Sequence, residues 1–368
     1  MQTAFKIIII SFFIALISAG VGIVLKGNKL TSSSSGPGTP VSGSGILYSE
    51  DMGNTWIQRS QVSQGQNISR FDITDIVIYP KDTSIVFAGT SGGGLFRSRD
   101  SGQNWDNISD ANKVLTNRAV IKSIAVDSED SKNLFVAAYQ GTRGSILRSQ
   151  DGGDSFTELF FTSRSKAAVN AVIFSFNDHK QVFAGTDEGL VLESIDNGNS
   201  WRTIGEFAYP VRKLAHTSAG VLIAVVQNKG LLRSSDFGAN WLSSEDTTTG
   251  KKLESFASGI NIEYMALDPQ NPNNIYLGTG YGLLRSRDGG ISFDAPPVVI
   301  PPRSLPVMSV GVSSNDSRII LVGAGQAIYR SQDGGEHWSL HAVPTNKRLR
   351  VMTVFPHEGS KIFLGLSR

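Results

Sequence analysis

From about residue 45 onward the apolar positions fall into short, near-continuous runs rich in β-branched and aromatic residues, separated by polar or glycine-rich breaks. ITDIVIYP (Ile73 to Pro80) is typical; after a polar turn comes SIVFAGT (Ser84 to Thr90), and after a Gly-rich loop a third run. Runs of this length and composition predict strands buried on both faces, not the half-buried alternation of an open sheet. Past the amino terminus no segment longer than about ten residues carries a helical period. The pattern predicts an all-β chain.

The third run of each set ends in one recurring motif, seen most plainly in LLRSRDGGISF, Leu283 to Phe293. Seven copies share Ser-x-Asp-x-Gly followed by a small polar residue and an aromatic. They centre on Asp51, Asp100, Asp151, Asp196, Asp236, Asp288 and Asp333, and successive aspartates lie 40 to 52 residues apart. Their serines are Ser49, Ser98, Ser149, Ser194, Ser234, Ser286 and Ser331; all five tryptophans of the chain stand at the closing aromatic position. A short carboxylate accepts hydrogen bonds from backbone N–H groups left without partners in a tight turn, and the glycine supplies positive φ. The aromatic begins the return strand and packs under the turn. The motif therefore reads as a structural clasp. Seven equivalent catalytic aspartates would demand seven equivalent active sites, and one acidic residue in most copies is thin coordination for a hard cation.

These copies resemble Asp-box repeats, also called bacterial neuraminidase repeats, of β-propellers such as sialidases, the sortilin luminal domain and photosystem II assembly factors. The resemblance covers residues 45–368 and implies a fold more firmly than an activity, because one fold hosts many functions. The expected architecture is an all-β, seven-bladed β-propeller with four-stranded blades, preceded by one transmembrane helix. The chain ends complete each other: RVMTVFP (Arg350 to Pro356) and KIFLGL (Lys361 to Leu366) supply first and second strands without a clasp, while Gly45 to Ser60 supplies a clasp and a fourth strand. Pairing C-terminal with N-terminal strands would close the ring and remove two sheet edges.

Ahead of the repeats, residues 1–6 are a short flank and residues 7–25 an uncharged run of 19 between Lys6 and Lys26. A helix of that length spans roughly 28 Å, close to the hydrocarbon thickness of a bilayer. The run is expected to be a single-pass anchor; Ser18-Ala19-Gly20 offers the rival of a cleaved signal, which would make the protein secreted. Residues 26–44, rich in Ser, Gly and Pro, read as a solvated tether. The propeller is placed outside the cytoplasm by the resemblance and the signal-like start. With no cysteine there is no disulfide, thiol chemistry or lipidated thiol, and the five histidines show no paired ligand spacing, so neither metal nor cofactor is expected. Residues 46–368 carry 31 basic and 32 acidic side chains, which gives no broad surface for nucleic acid.

Candidate chemistry lies where the repeats differ. Aligned on their first strands, the blades place Thr74, Lys122, Asn170, Arg212, Glu263, Met308 and Arg350 at one equivalent position near the expected pore mouth. Arg70 and Arg118 align just upstream, with Arg303 and Arg348 nearby. Arg70, Arg118, Lys122, Arg212, Glu263, Arg303, Arg348 and Arg350 form a candidate basic patch for the carboxylates of a protein, peptide or acidic glycan. A second aligned set, Arg97, Arg148, Arg233, Arg285 and Arg330, with Glu193 and Tyr48 in the other two places, reads as repeated packing. Sialidase chemistry is touched only by Glu206, Tyr209 and Arg212, and sialidases are six-bladed; xyloglucanase-like enzymes place their carboxylates between two propellers, and this chain has one. The expected function is that of a monomeric, membrane-tethered, non-enzymatic scaffold for a protein or peptide partner, with a cell-surface carbohydrate-binding or glycoside-cleaving propeller as the alternative.

Overall fold

The computed structural model describes residues 30–31, 44–64, 67–246 and 250–368. The anchor expected over residues 7–25 and nearly all of the tether lie outside the described residues; among those described, no helix is long and apolar enough to cross a membrane.

Seven sheets form seven blades. Their innermost strands, in chain order, are Ile73–Ile78 (blade 1), Val120–Val126 (2), Val169–Phe174 (3), Val211–His216 (4), Ile262–Leu267 (5), Val307–Val312 (6) and Arg348–Val354 (7). From the inside outward the main strands of blades 1 to 6 run antiparallel in sequence order, as in blade 3: Val169–Phe174, Val182–Thr186, Leu190–Ser194, Arg202–Glu206. Second strands such as Val86–Thr90, Val182–Thr186 and Leu222–Val226 are buried at every residue, as their continuous apolar runs require. The core is divided into seven apolar wedges, one between each pair of neighbouring blades. Blade 7 is the expected closure: Ile46–Ser49 pairs antiparallel with Ile362–Ser367 in the register Ile46↔Gly365 to Ser49↔Ile362.

Three blades depart from four strands. Val62–Gln64 adds parallel to the outer edge of blade 1, and Leu30–Thr31 to that of blade 7. Blade 5 keeps three strands, its fourth reduced to a bridge between Arg285 and Asp294. Pro296 and Pro297 follow after Ala295, and proline cannot donate to a ladder.

The clasps repeat their bonding in all seven copies. In blade 1, Ser98 Oγ donates to Asp100 Oδ1 (2.8 Å) and accepts from the N–H of Gly102 (2.8 Å). Asp100 Oδ1 accepts the N–H of Asn104 (2.8 Å) and Oδ2 its side-chain amide (2.8 Å). The outer donor becomes Thr55, Ser155, Ser200, Asn240, Ser292 or His337 elsewhere. Donors from Ser155 and Ser149 outweigh desolvation and hold Asp151 down at about 2; hydrogen bonds from His337 take Asp333 lower still. Carboxylates saturated in this way serve the turn. Gly102 has φ +78°, and a Cβ there would lie 2.7 Å from the Phe363 ring, so this turn needs glycine twice over.

The second arginine set ties neighbouring clasps together. Arg97, Arg148 and Arg285 donate to Gly152 O (2.5 Å), Asn197 O (2.5 Å) and Gly334 O (2.6 Å) of the following blade. Where blade 7 has Tyr48, the Arg59 guanidinium lies 3.6 Å over its ring and donates to Ser101 O in blade 1. In blade 3, Glu193 is buried and bonded to Gln181 Nε2 (2.6 Å) and Arg202 Nε (2.7 Å).

Candidate binding site at the channel mouth

Every first strand carries a β-bulge at the same point. In blade 1 Ile73 pairs with Thr90 and Asp75 with Gly89, leaving Thr74 without a partner. The residue skipped in the other blades is Lys122, Asn170, Arg212, Glu263, Met308 and Arg350. These are the seven residues that the sequence aligns at the mouth. A bulged residue is re-aimed out of the pleat, and here the bulges turn six of them into one cavity. Thr74, Lys122, Asn170, Arg212, Glu263 and Arg350 line a space of about 460 Å³ together with Lys213, Gln227, Asn228 and Asn261. Met308, the seventh, does not line it, and neither do Arg70, Arg118, Arg303 and Arg348. Arg70 ends a 3-10 turn, Ile68–Arg70, and its carbonyl accepts from Arg368 Nη2 (2.9 Å); the N–H of Arg303 is bound to Tyr281 O (2.9 Å) on blade 5.

The mouth is cationic but partly balanced. Arg212 is exposed, and its Nη1 donates to Asp187 Oδ1 (2.9 Å) and its Nε to Gln227 Oε1 (3.0 Å). Asp187 is fixed by Asn170 Nδ2 (2.8 Å) and the N–H of Ala168 (3.0 Å). Lys122, Arg350 and Glu263 are exposed, and no ion pair holds any of them among the described residues.

One residue beyond each bulge, a second tier faces the channel. Asp75, Ser123, Lys213, Tyr264 and Val351 line a space of about 210 Å³ beneath the mouth. Burial pushes Asp75 up to about 6, offset by the hydrogen bond that its Oδ2 accepts from the N–H of Ile124 (2.8 Å). Burial pushes Lys213 down, against the pull of Asp75, and its ammonium lies 5.2 Å from the centre of the Tyr264 ring. Tyr264 donates to Met352 O (3.0 Å), which ties blade 5 to blade 7 beneath the mouth. The sequence reading missed Asp75, Lys213, Tyr264 and Asp187. The first three were legible as the next aligned position; Asp187 sits in a second-to-third-strand loop, GTDEG, with nothing local to mark its contact with Arg212.

The three residues that touch sialidase chemistry are spread out. Glu206 ends the outermost strand of blade 3, Tyr209 lies in the connection, and Arg212 is on the innermost strand of blade 4.

No family model matches the chain. A Photosystem II assembly lipoprotein Ycf48 from Synechococcus sp. is 24% identical over 246 residues, covering 66% of this chain and 68% of that protein. An oligoxyloglucan-reducing end-specific xyloglucanase from Emericella nidulans is 23% identical over 245 residues, 61% of this chain but only 24% of the enzyme. The chain thus spans about a quarter of that enzyme's length. Among solved structures, the GH74 xyloglucanase from Xanthomonas campestris superposes with a TM-score of 0.62 at 17% identity, covering 80% of this chain and 51% of the enzyme. YCF48 bound to D1 peptide gives 0.60 at 15%, covering 81% and 94%. At these identities the likeness establishes a β-propeller fold.

Proposed function

We propose that this protein is a non-enzymatic propeller scaffold that holds an acidic, extended segment of a partner protein at its channel mouth, tethered to a membrane outside the cytoplasm by residues 7–25. The observation that carries this reading is the set of seven bulges, which bring Lys122, Arg212 and Arg350 from three different blades to one cavity rim with Lys213 behind them. Lys122 and Arg350 hold no ion pair among the described residues, so carboxylates that meet them gain charge-assisted hydrogen bonds without first breaking one. The solved propeller carrying a D1 peptide and the assembly-factor relative support a peptide-binding role for this architecture. The seven clasps are assigned to the Asp-box class on their shared Ser–Asp–Gly bonding.

The xyloglucanase likeness supports a second reading, glycoside cleavage. Such chemistry needs two carboxyl groups flanking one bond. The mouth offers Glu263, with Asp75 one tier lower among the channel-lining groups.

The two readings separate in one experiment. The full chain and its Lys122→Ala/Arg350→Ala variant are used for affinity capture from envelope extract, beside hydrolysis assays on xyloglucan oligosaccharides and a fluorogenic sialoside. Protein capture by the native chain that the variant loses, without turnover, is the expected result. Turnover abolished by Glu263→Gln would overturn the scaffold reading.

A further inference from the structure

The residue one step beyond each bulge occupies seven equivalent positions, and only two of them are charged: Asp75 on blade 1 and Lys213 on blade 4. The other five hold hydroxyl or apolar side chains. Blades 1 and 4 stand three steps apart, the widest separation a ring of seven allows. A structural ion pair would bring two such groups together, yet none joins them among the described residues. Lys213 has no hydrogen bond there either, and its ammonium faces the Tyr264 ring at 5.2 Å. Asp75 accepts the N–H of Ile124 (2.8 Å), and no side-chain donor reaches it among the described residues.

Carboxylates elsewhere in the interior are better supplied. Asp110 accepts the N–H groups of Asn112 (3.0 Å), Val114 (2.7 Å), Leu115 (2.7 Å) and Phe156 (3.0 Å). Asp127 accepts from Asn133 Nδ2 (3.0 Å) and the N–H of Glu129 (2.9 Å), and pairs with His179 (2.7 Å). Against that pattern, an ammonium and a carboxylate that line one channel with their bonding incomplete bear a desolvation cost that the protein does not return. Both groups are half-buried and line the space of about 210 Å³ beneath the mouth. That space shares Lys122, Asn170, Arg212 and Lys213 with the cavity of about 460 Å³ above it, so it is reached through the mouth. It has room for several waters, and so for a molecule of a few heavy atoms.

We propose that the channel beneath the mouth binds a small amphoteric molecule of the amino-acid class, whose carboxylate accepts from Lys213 and whose ammonium donates to Asp75. Each end of the ligand exchanges water for a charge-assisted hydrogen bond, and neither charge of the site is then left unmatched. The Tyr264 ring walls the carbon chain between the two ends. Lys122 and Arg350, exposed at the rim, draw the carboxylate inward. A simple anion satisfies Lys213 alone and a simple amine satisfies Asp75 alone, so the site discriminates against both. It lies a tier below the rim and does not rest on the acidic-segment reading of the mouth.

The test titrates the full chain with glycine, β-alanine, γ-aminobutyrate and 5-aminovalerate, a series of growing charge separation, beside acetate and methylammonium. Binding is read by isothermal titration calorimetry at constant ionic strength. The expected result is that at least one member of the series binds about tenfold or more tightly than either single-charge compound. Asp75→Asn and Lys213→Met should each weaken that binding about tenfold or more. A second readout needs no variant: at saturation the ligand should slow acylation of Lys213 by an amine-directed reagent at least about fivefold, mapped by mass spectrometry, with no change at exposed Lys251. Absence of binding across the series, binding no tighter than that of acetate, or acylation of Lys213 indifferent to the ligand would each overturn the proposal.

Discussion

Phe363 is the side chain on which ring closure should depend most. It lies on the carboxy-terminal strand, is 0% exposed, and its ring centre is 5.4 Å from that of Tyr48 and 4.9 Å from that of Phe355. Its cluster also contains Ile73, Ile78 and Trp105, so one ring couples the closing strand, the first clasp strand and blade 1. A buried Phe removes about 150–250 Å² from water, worth about 4–6 kcal/mol as an upper bound at ~25 cal/mol/Å². Truncation to alanine in a core costs about 3–5 kcal/mol once the cavity is included. Taking ~4 kcal/mol and about 2 °C per kcal/mol for a chain of this size, Phe363→Ala should lower Tm by about 8 °C. Leu340→Ala, on the fourth strand of blade 6 where Leu340 is 46% exposed, is the control and should shift Tm by about 1 °C. Scanning calorimetry of the full chain measures both. If Phe363→Ala melts within about 2 °C of the native chain, the closing strand is not holding the ring and the reasoning fails.

The clasps carry their own expectations. Ser98→Ala leaves the buried N–H of Gly102 without its acceptor, which should cost about 1–3 kcal/mol, read as a lower urea midpoint at unchanged slope. Asp151 is held at about 2, below its unfolded value, so its contribution is present above about pH 4 and disappears as pH falls through about 2. Asp151→Asn should therefore destabilise by about 1 kcal/mol at pH 7, after discounting for solvent screening, and by nearly nothing at pH 2; a difference that does not change with pH in thermal melts would contradict the bonding described. At the mouth, Asp187→Asn removes the carboxylate that holds Arg212 and should raise affinity for a blocked hexaglutamate peptide about fivefold at low salt, measured by anisotropy. Unchanged or weaker binding would mean that Arg212 takes no part.

How much was readable from the chain follows from what repeats. Seven clasps in register fixed blade number, strand order and closure, because a repeated turn imposes its bonding wherever it recurs. The mouth residues were legible as an aligned position, but not the reason for it: a bulge adds one residue to a strand without changing the local composition, so Lys122 and Arg350 look like ordinary strand positions. Arg70, Arg118 and Arg303 aligned only loosely because the connections ahead of the first strands differ in length and shape, while Arg348 opens the first strand of blade 7. Ile68–Arg70 winds into a 3-10 turn, whereas Arg303 sits at φ +66° beside the proline-rich loop. The lost fourth strand of blade 5 was signalled by Pro296 and Pro297, one residue beyond Asp294, yet its result, a third strand bridged outward at Arg285, appears only in three dimensions.

On the proposed function, the channel mouth holds an acidic segment through Lys122 and Arg350 and performs no turnover. The most direct measurement is the salt dependence of hexaglutamate binding by the native chain and by Lys122→Ala/Arg350→Ala, with xyloglucan hydrolysis followed in parallel. Binding should weaken steeply with salt and fall about tenfold or more in the double variant, and no product should form. Equal binding by the two chains, or release of oligosaccharide by the native one, would contradict it.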